Sequence, residues 1–167
     1  MAQLANYIPE DVTITVAGFV SLEGLADGTF VTITKDVVPF SSRRTADGTL
    51  SRLYTSDTTY TVAVSLYSGS GSNDTLTRLL QVDEISQMGK FPIMIKDSSG
   101  TSLFFAATAW IQDIPELTLS NTFEVRTWVF KATQAALNVG GNEERGSAID
   151  SLVSIAASAL PALGGML

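Results

Sequence analysis

The stretch TYTVAVSLY, Thr59 to Tyr67, constrains this chain more than any other. Tyr60, Val62, Val64 and Leu66 point one way, and Thr61, Ala63 and Ser65 point the other. A helix would scatter the apolar members around its circumference, so this strict period of two predicts a half-buried strand. VTITV (Val12 to Val16) and FVTITK (Phe30 to Lys35) repeat the pattern with threonines on the second face, and Leu50 to Tyr54 is a weaker version. FPIMIK (Phe91 to Lys96), the turn DSSG and the run from Thr101 to Asp113 read as a hairpin, with Gly100 suited to a positive φ. Its second arm is apolar on both faces and is expected to be covered on both. TFEVRTWVFK, Thr122 to Lys131, is the last long strand; Glu124 and Arg126 share a face with Trp128 and Phe130.

One helix interrupts the strands, after the small-residue run SGSGS, Ser68 to Ser72. Asn73 or Asp74 is placed to cap it. Leu76, Leu79, Leu80 and Ile85 form its apolar stripe, with Thr77, Arg78 and Gln81 outside. The small residues before it suit a crowded joint, expected between neighbouring subunits. A second helix is predicted over 147–160, after the polar break NVGGNEERG, and Pro161 ends it. Strands, one helix, more strands and a tail helix predict a mainly β fold. The expected architecture is an antiparallel β-sandwich or barrel with one flanking α-helix and a C-terminal tail helix, not a doubly wound sheet. The length of 167 residues favours one domain with an appended tail: a β domain over 1–131 and an extension over 132–167.

Catalysis finds little support. The chain has no cysteine and no histidine, which removes thiolate chemistry, disulfides and the commonest general base and metal ligand. GSGSND lacks the G-K-[ST] ending of a phosphate loop, and Asp74 would repel an anion at that helix start. The carboxylate pairs Glu10-Asp11, Asp83-Glu84 and Glu143-Glu144 are sequence neighbours, which on a strand point apart. TADGT and DSSGTS lack the alternating oxygen ligands of a calcium loop and read as turns. No catalytic residue, cofactor or metal site is expected. Trp110 and Trp128, with Phe104, Phe105 and Phe130, are compatible with a carbohydrate platform, but they stand in strongly apolar strands and are expected to be buried. MAQLANYIPEDV does not read as a secretory signal, and the apolar C-terminal run is too short and broken for a membrane span.

Charge points instead toward assembly. Only 16% of residues are charged, low for a freely soluble domain, and the net charge of −7 argues against tight nucleic-acid binding. Three of the ten basic residues, Arg43, Arg44 and Arg52, cluster in the long connection Asp36 to Tyr54. A basic projection on an acidic protein is what a self-complementary contact needs.

The order of several motifs resembles the tail tube proteins of contractile-tailed bacteriophages. These are the A-D-G of the long loop, S-x-S-N-D-x-L before the helix, F-P-x-x-I-K-D-x-x-G, A-W-I-x-x-x-P and the W-x-F of the last strand, spanning Val12 to Lys131. The resemblance implies a β-barrel-like sandwich assembled as hexameric rings that stack into a hollow tube. A sheath surrounds that tube, baseplate and tail-terminator proteins bound it, and genomic DNA passes through without tight binding. It implies a virion protein assembled in the host cytoplasm; type VI secretion tubes and tail-like bacteriocin tubes share the architecture and are the alternatives, with a carbohydrate-binding β-sandwich more remote. Six copies at −7 each carry about −42 per ring, a charge that repels DNA from a lumen wall. On this resemblance Arg43, Arg44, Asp47 and Gly48 belong to the ring-stacking loop. Asn73, Asp74, Leu76 and Arg78 belong to a helix on the outer wall near neighbouring subunits. Beyond Ala132 no resemblance is found.

Overall fold

The structure is a computed structural model describing residues 7–141; the helix expected over 147–160 lies outside the described residues. Nine strands and one α-helix follow a short 3₁₀ turn at Pro9–Asp11. The strands are β1 (Val12–Val16), β2 (Val20–Ser21), β3 (Val31–Lys35), β4 (Phe40–Arg44), β5 (Leu50–Tyr54), β6 (Tyr60–Tyr67), β7 (Phe91–Asp97), β8 (Leu103–Asp113) and β9 (Val125–Asn138). The helix α1 runs Ser72–Ser86 between β6 and β7.

The alternation in β6 is realised in full. Tyr60, Val62, Val64 and Leu66 are buried while the residues between them are half-buried. β6 stands between β9 and β3 in one antiparallel seven-stranded sheet of order β2-β1-β7-β8-β9-β6-β3. The buried faces of β1, β6, β7, β8 and β9 share a single core, to which α1 adds Leu76. Each fully buried Val, Leu or Phe here contributes about 1.5–3 kcal/mol over its exposed state.

The sheet curls around this core without closing. Its edge strands, β2 and β3, are consecutive in sequence, and the connection between them bonds to β6 instead: Ala26 N to Ser65 O at 3.0 Å and Tyr67 N to Gly24 O at 2.9 Å. Val12 and Ile95 face Phe30 and Val31 across a gap of about 450 Å³. The expected mainly β fold with a flanking helix is therefore present, but it is not a closed barrel.

β8 departs from expectation in a second way. Phe104, Ala106, Ala109 and Ile111 face the core, whereas Phe105 is exposed and Trp110 half-buried on the opposite face. Among the described residues that second face is only partly covered. The register with β7 slips between Phe91 and Ile93, which places both Ala107 and Thr108 off the core, and Gln134 on β9 takes a φ of +51° close by. β9 runs on to Asn138, past the Lys131 at which the last strand was expected to stop, so position 131 lies inside a continuous ladder. The 97–102 turn depends on Asp97, whose Oδ1 accepts from Ser99 N at 2.9 Å and Ser99 Oγ at 2.6 Å. The positive-φ glycines are Gly18, Gly24, Gly28 and Gly48, so Gly100 does not play the part expected of it.

The small-residue run before α1 forms a crowded joint inside one chain. Ser72 Oγ accepts from Glu23 N at 2.9 Å and Ser70 Oγ donates to Glu23 O at 2.5 Å. Gly24 has a φ of +72°, and a Cβ there would sit 2.6 Å from that of Ser70. The N-cap is Gly71, without a side-chain bond, so neither Asn73 nor Asp74 caps the helix. Asn73 is needed elsewhere: its Nδ2 donates to Tyr67 O at 2.9 Å and Ser70 O at 3.0 Å, and its Oδ1 accepts from Trp128 Nε1 at 2.9 Å. One amide thereby satisfies a buried indole and two loop carbonyls. Ile85 does not join the stripe of Leu76, Leu79 and Leu80; it is 86% exposed.

Candidate assembly surfaces

The long connection expected to carry the basic residues is itself structured. β4 and β5 pair from Phe40↔Tyr54 to Arg44↔Leu50 as a separate two-stranded sheet, and every residue in both strands is exposed. This is an arm. Phe40, Ser42, Arg44, Leu50, Arg52 and Tyr54 share one face, and Ser41, Arg43, Ser51 and Leu53 share the other. On the first face Phe40 and Tyr54 lie 5.2 Å apart, and the Arg52 guanidinium stacks 3.6 Å from the Phe40 ring centre. β4 escaped prediction because FSSRR has no apolar alternation; the turn chemistry of TADGT between two chain segments of equal length was the available signal.

That turn assigns local roles to three of the four stacking candidates. Asp47 Oδ1 accepts from Thr45 Oγ1 and, at 3.0 Å, from Thr49 N, while Gly48 adopts a φ of +90°. The Thr45 hydroxyl, followed by the Thr49 amide, holds the Asp47 carboxyl below its ordinary value of 3.8. Arg44 Nη1 donates to Gly48 O at 3.3 Å. Arg43 stands on the opposite face, with no bonded partner among the described residues.

The four helix candidates separate by side. Asn73 and Leu76 are buried and hold α1 to the body, which removes them from any outer-wall contact; Asp74 and Arg78 are exposed. At the end of α1 Val82 and Ile85 are exposed, and so is Met88 just beyond it, although the sequence stripe counted Ile85 among the core residues. A cleft of about 540 Å³ near the end of α1 is lined by Asp83, Glu84 and Gln87, by Lys90, and by Thr108, Trp110 and Thr133 of β8 and β9. A second apolar, exposed run lies between β8 and β9, including Leu117, Leu119 and Phe123.

The face of β3, β6 and β9 turned away from the core has another character. It presents Thr32, Thr34, Thr61, Ala63, Ser65 and Thr127, with Ser65 Oγ and Thr127 Oγ1 at 3.0 Å. Its cation, Lys131, donates to Thr61 Oγ1 at 3.0 Å and pairs with Asp36. The bond to Lys131 and then that to Thr61 lower the Asp36 carboxyl from its ordinary value. The result is a hydroxyl-rich surface whose positive charge is locally neutralised.

No group of three or more acidic, cysteine or histidine residues able to hold a metal occurs among the described residues. Trp128 is 1% exposed and bonded to Asn73, so it cannot serve the carbohydrate platform.

No family model matches the chain. Structural protein ORF10 of Pseudomonas phage KPP10 is 34% identical over 147 residues, covering 84% of this chain and 85% of that protein. The fold is similar to that of a chain in the anti-feeding prophage cap, a tube-terminating cap, with a TM-score of 0.57 at 14% identity, covering 83% of this chain and 95% of that one. A chain of the sheath-tube complex of the extracellular contractile injection system PVC, in its extended state, gives 0.54 at 14% identity over 80% of this chain and 92% of its own length. A chain of the native gene transfer agent particle gives 0.54 at 12% identity, over 80% and 100%.

Proposed function

From the premise that the chain belongs to the phage structural-protein family of ORF10, we propose that it is a tail tube subunit. Copies form closed rings, six to a ring, and the rings stack into a channel inside a contractile sheath. The fold it shares with a chain of a sheath-tube complex supports this reading, as does its likeness to a tube cap. The observation that carries it is the β4–β5 arm. A two-stranded hairpin has marginal stability alone, and this one exposes Leu50, Leu53 and Tyr54. Such an arm is built to be covered by another molecule.

The remaining surfaces fit. Neighbours in a ring can pair with the open edges at β2 and β3, which removes backbone groups that would otherwise recruit unrelated strands. The hydroxyl-rich face of β3, β6 and β9 suits the channel wall: it offers DNA no free cation to grip, and the net acidity of the subunit keeps phosphates away. The protein works without catalysis or cofactor, as part of the virion tail, with sheath, baseplate and terminator as its partners. On this reading the C-terminal extension begins after the β9 ladder ends at Asn138, not at 132 as the sequence suggested.

A second reading follows from the likeness to a tube-terminating cap: one terminal ring per tail, not a repeated subunit. Electron microscopy of virions labelled on this chain separates the two. Label along the whole tube supports the tube subunit, label at one end the cap, and label outside the tail defeats both.

A further inference from the structure

Independently of the tube reading, we propose that the segment 147–160 of each chain returns as a helix onto the outer face of its own β8. There it covers the apolar surface that the described residues leave bare.

That surface is continuous. Met94, Phe105 and Ala136 are register partners across β7, β8 and β9, so they form one row of side chains on the face turned from the core. Met94 is 38% and Phe105 46% exposed, and Pro92, Ala107 and Ala136 are exposed beside them. The small residues at 107 and 136 leave room for a helix to lie close to the sheet. Farther along β8 the half-buried Trp110 carries the face on to the cleft near the end of α1.

The occupant follows from where the chain leaves the sheet. Beyond β9 it is tied to the 97–102 turn: Thr101 N donates to Gly141 O at 3.2 Å, Ser102 Oγ to Gly140 O at 3.2 Å, and Asn138 Nδ2 to Thr101 O at 2.6 Å. Gly141 therefore stands where β8 begins, at the Phe105 end of the patch. Residues 142–146 reach at most about 17 Å, enough for this face. The exposed Leu117, Leu119 and Phe123 lie past the far end of β8, about 33 Å along the sheet, and are out of range.

The segment itself has one side to hide. On a helix Ile149, Leu152, Val153, Ala156 and Leu160 share a stripe, Ser147, Ser151, Ser154 and Ser158 share the opposite one, and Asp150 is the only charge in 147–160. Fourteen such residues do not hold a helix in water without a surface to pack on. From Ile149 to Leu160 a helix rises about 16.5 Å, and β8 advances by the same about 16.5 Å from Phe105 to Trp110. The stripe thus starts over Phe105, sets Val153 over Ala107 and ends at Trp110. Lys96, exposed on this face beside the exit, meets the Glu143-Glu144 pair of the connection, a weak pairing that favours this direction of return.

The full chain has no cysteine, so an introduced pair reports the contact directly. Ala107→Cys with Val153→Cys, treated with a short bis-maleimide, should give an intrachain link as the main product in peptide mapping. Ala107→Cys with Ser151→Cys, on the serine side, should give little. Links formed only between chains would seat the helix on a neighbour and overturn the proposal, as would no link, or equal links from both pairs. A second measurement decides if the cysteine variants fail to fold. Trp128 is buried, so acrylamide quenching of the two tryptophans reports Trp110. Val153→Asp should raise that quenching about twofold, because an aspartate in the contact detaches the helix, and Ser151→Asp should leave it unchanged. Equal quenching in wild type and Val153→Asp overturns the docking. Neither experiment bears on the tube reading, which the labelling of virions decides.

Discussion

Two strand pairs in this chain have the same local geometry and opposite fates. β6 and β9 pair from Tyr60↔Ala132 to Tyr67↔Val125 and bury Val62, Val64, Trp128 and Phe130 between them and the rest of the core. β4 and β5 pair just as regularly from Phe40↔Tyr54 to Arg44↔Leu50 and bury nothing. Backbone hydrogen bonds are alike in both, so the difference in stability comes from what the side chains cover. The body stands alone, whereas on the tube reading the arm would borrow its stability from a partner.

Substitutions in the body test that contrast most forcefully. Trp128→Ala removes the largest fully buried side chain and leaves Asn73 Oδ1 without its donor, so the denaturation midpoint should fall by the equivalent of about 3–5 kcal/mol. Asn73→Ala keeps the ring but orphans its Nε1 and two carbonyls; the expected loss is about 1–3 kcal/mol, read in the same unfolding experiment. Neither loss is tolerable in a part of the chain that must hold itself together.

The arm should behave in the reverse sense. Arg43→Glu with Arg44→Glu should abolish stacking seen by electron microscopy while leaving the thermal unfolding of the isolated subunit nearly unchanged, because both residues are exposed. If unfolding shifts as far as it does for Asn73→Ala, the arm is part of the body after all. Smaller still is the effect of Gly48→Ala, which forces a Cβ onto a φ of +90°; about 1 kcal/mol of strain should appear as faster amide exchange within the arm alone. Acid sharpens the comparison last. The Asp47 carboxyl is held below 3.8, so its support of the turn is present above the unfolded value and lost as pH falls through the folded one. Exchange at the Thr49 amide, corrected for intrinsic rates, should therefore gain on that of the β6 amides as pH drops below about 4.

The body was largely legible in the sequence because burial writes itself as periodicity. β1, β5 and β6 begin and end within a residue of where alternation puts them, and α1 follows its leucines. What escaped depended on contacts between distant segments. Asn73 looked like a cap because its residue type and position suit one, but a tryptophan 55 residues away claimed its oxygen. Ile85 looked like core because helical spacing cannot tell a stripe facing the body from one facing a partner. β8, apolar on both sides, was read as doubly covered; among the described residues its core side is buried, while Phe105 and Ala107 on the other side are exposed. In both places the apolar residues were counted correctly, but no described part of the chain covers the exposed ones.

The order of strands in the sheet also sets a timetable. β1 can pair early with β2, and β6 with β3, but the second partner of β1 is β7 and that of β6 is β9, so no part of the core is complete until the chain has reached about Asn138. The arm needs only five residues on either side of its own turn. Local pairings close in microseconds while non-local sheets are slow. The hairpin that would join one subunit to the next can therefore take shape before the body exists, yet it has nothing to grip until a neighbouring body has folded. On the tube reading, such a subunit would be protected from premature association by its topology: the hairpin forms early, and the body that receives it forms last.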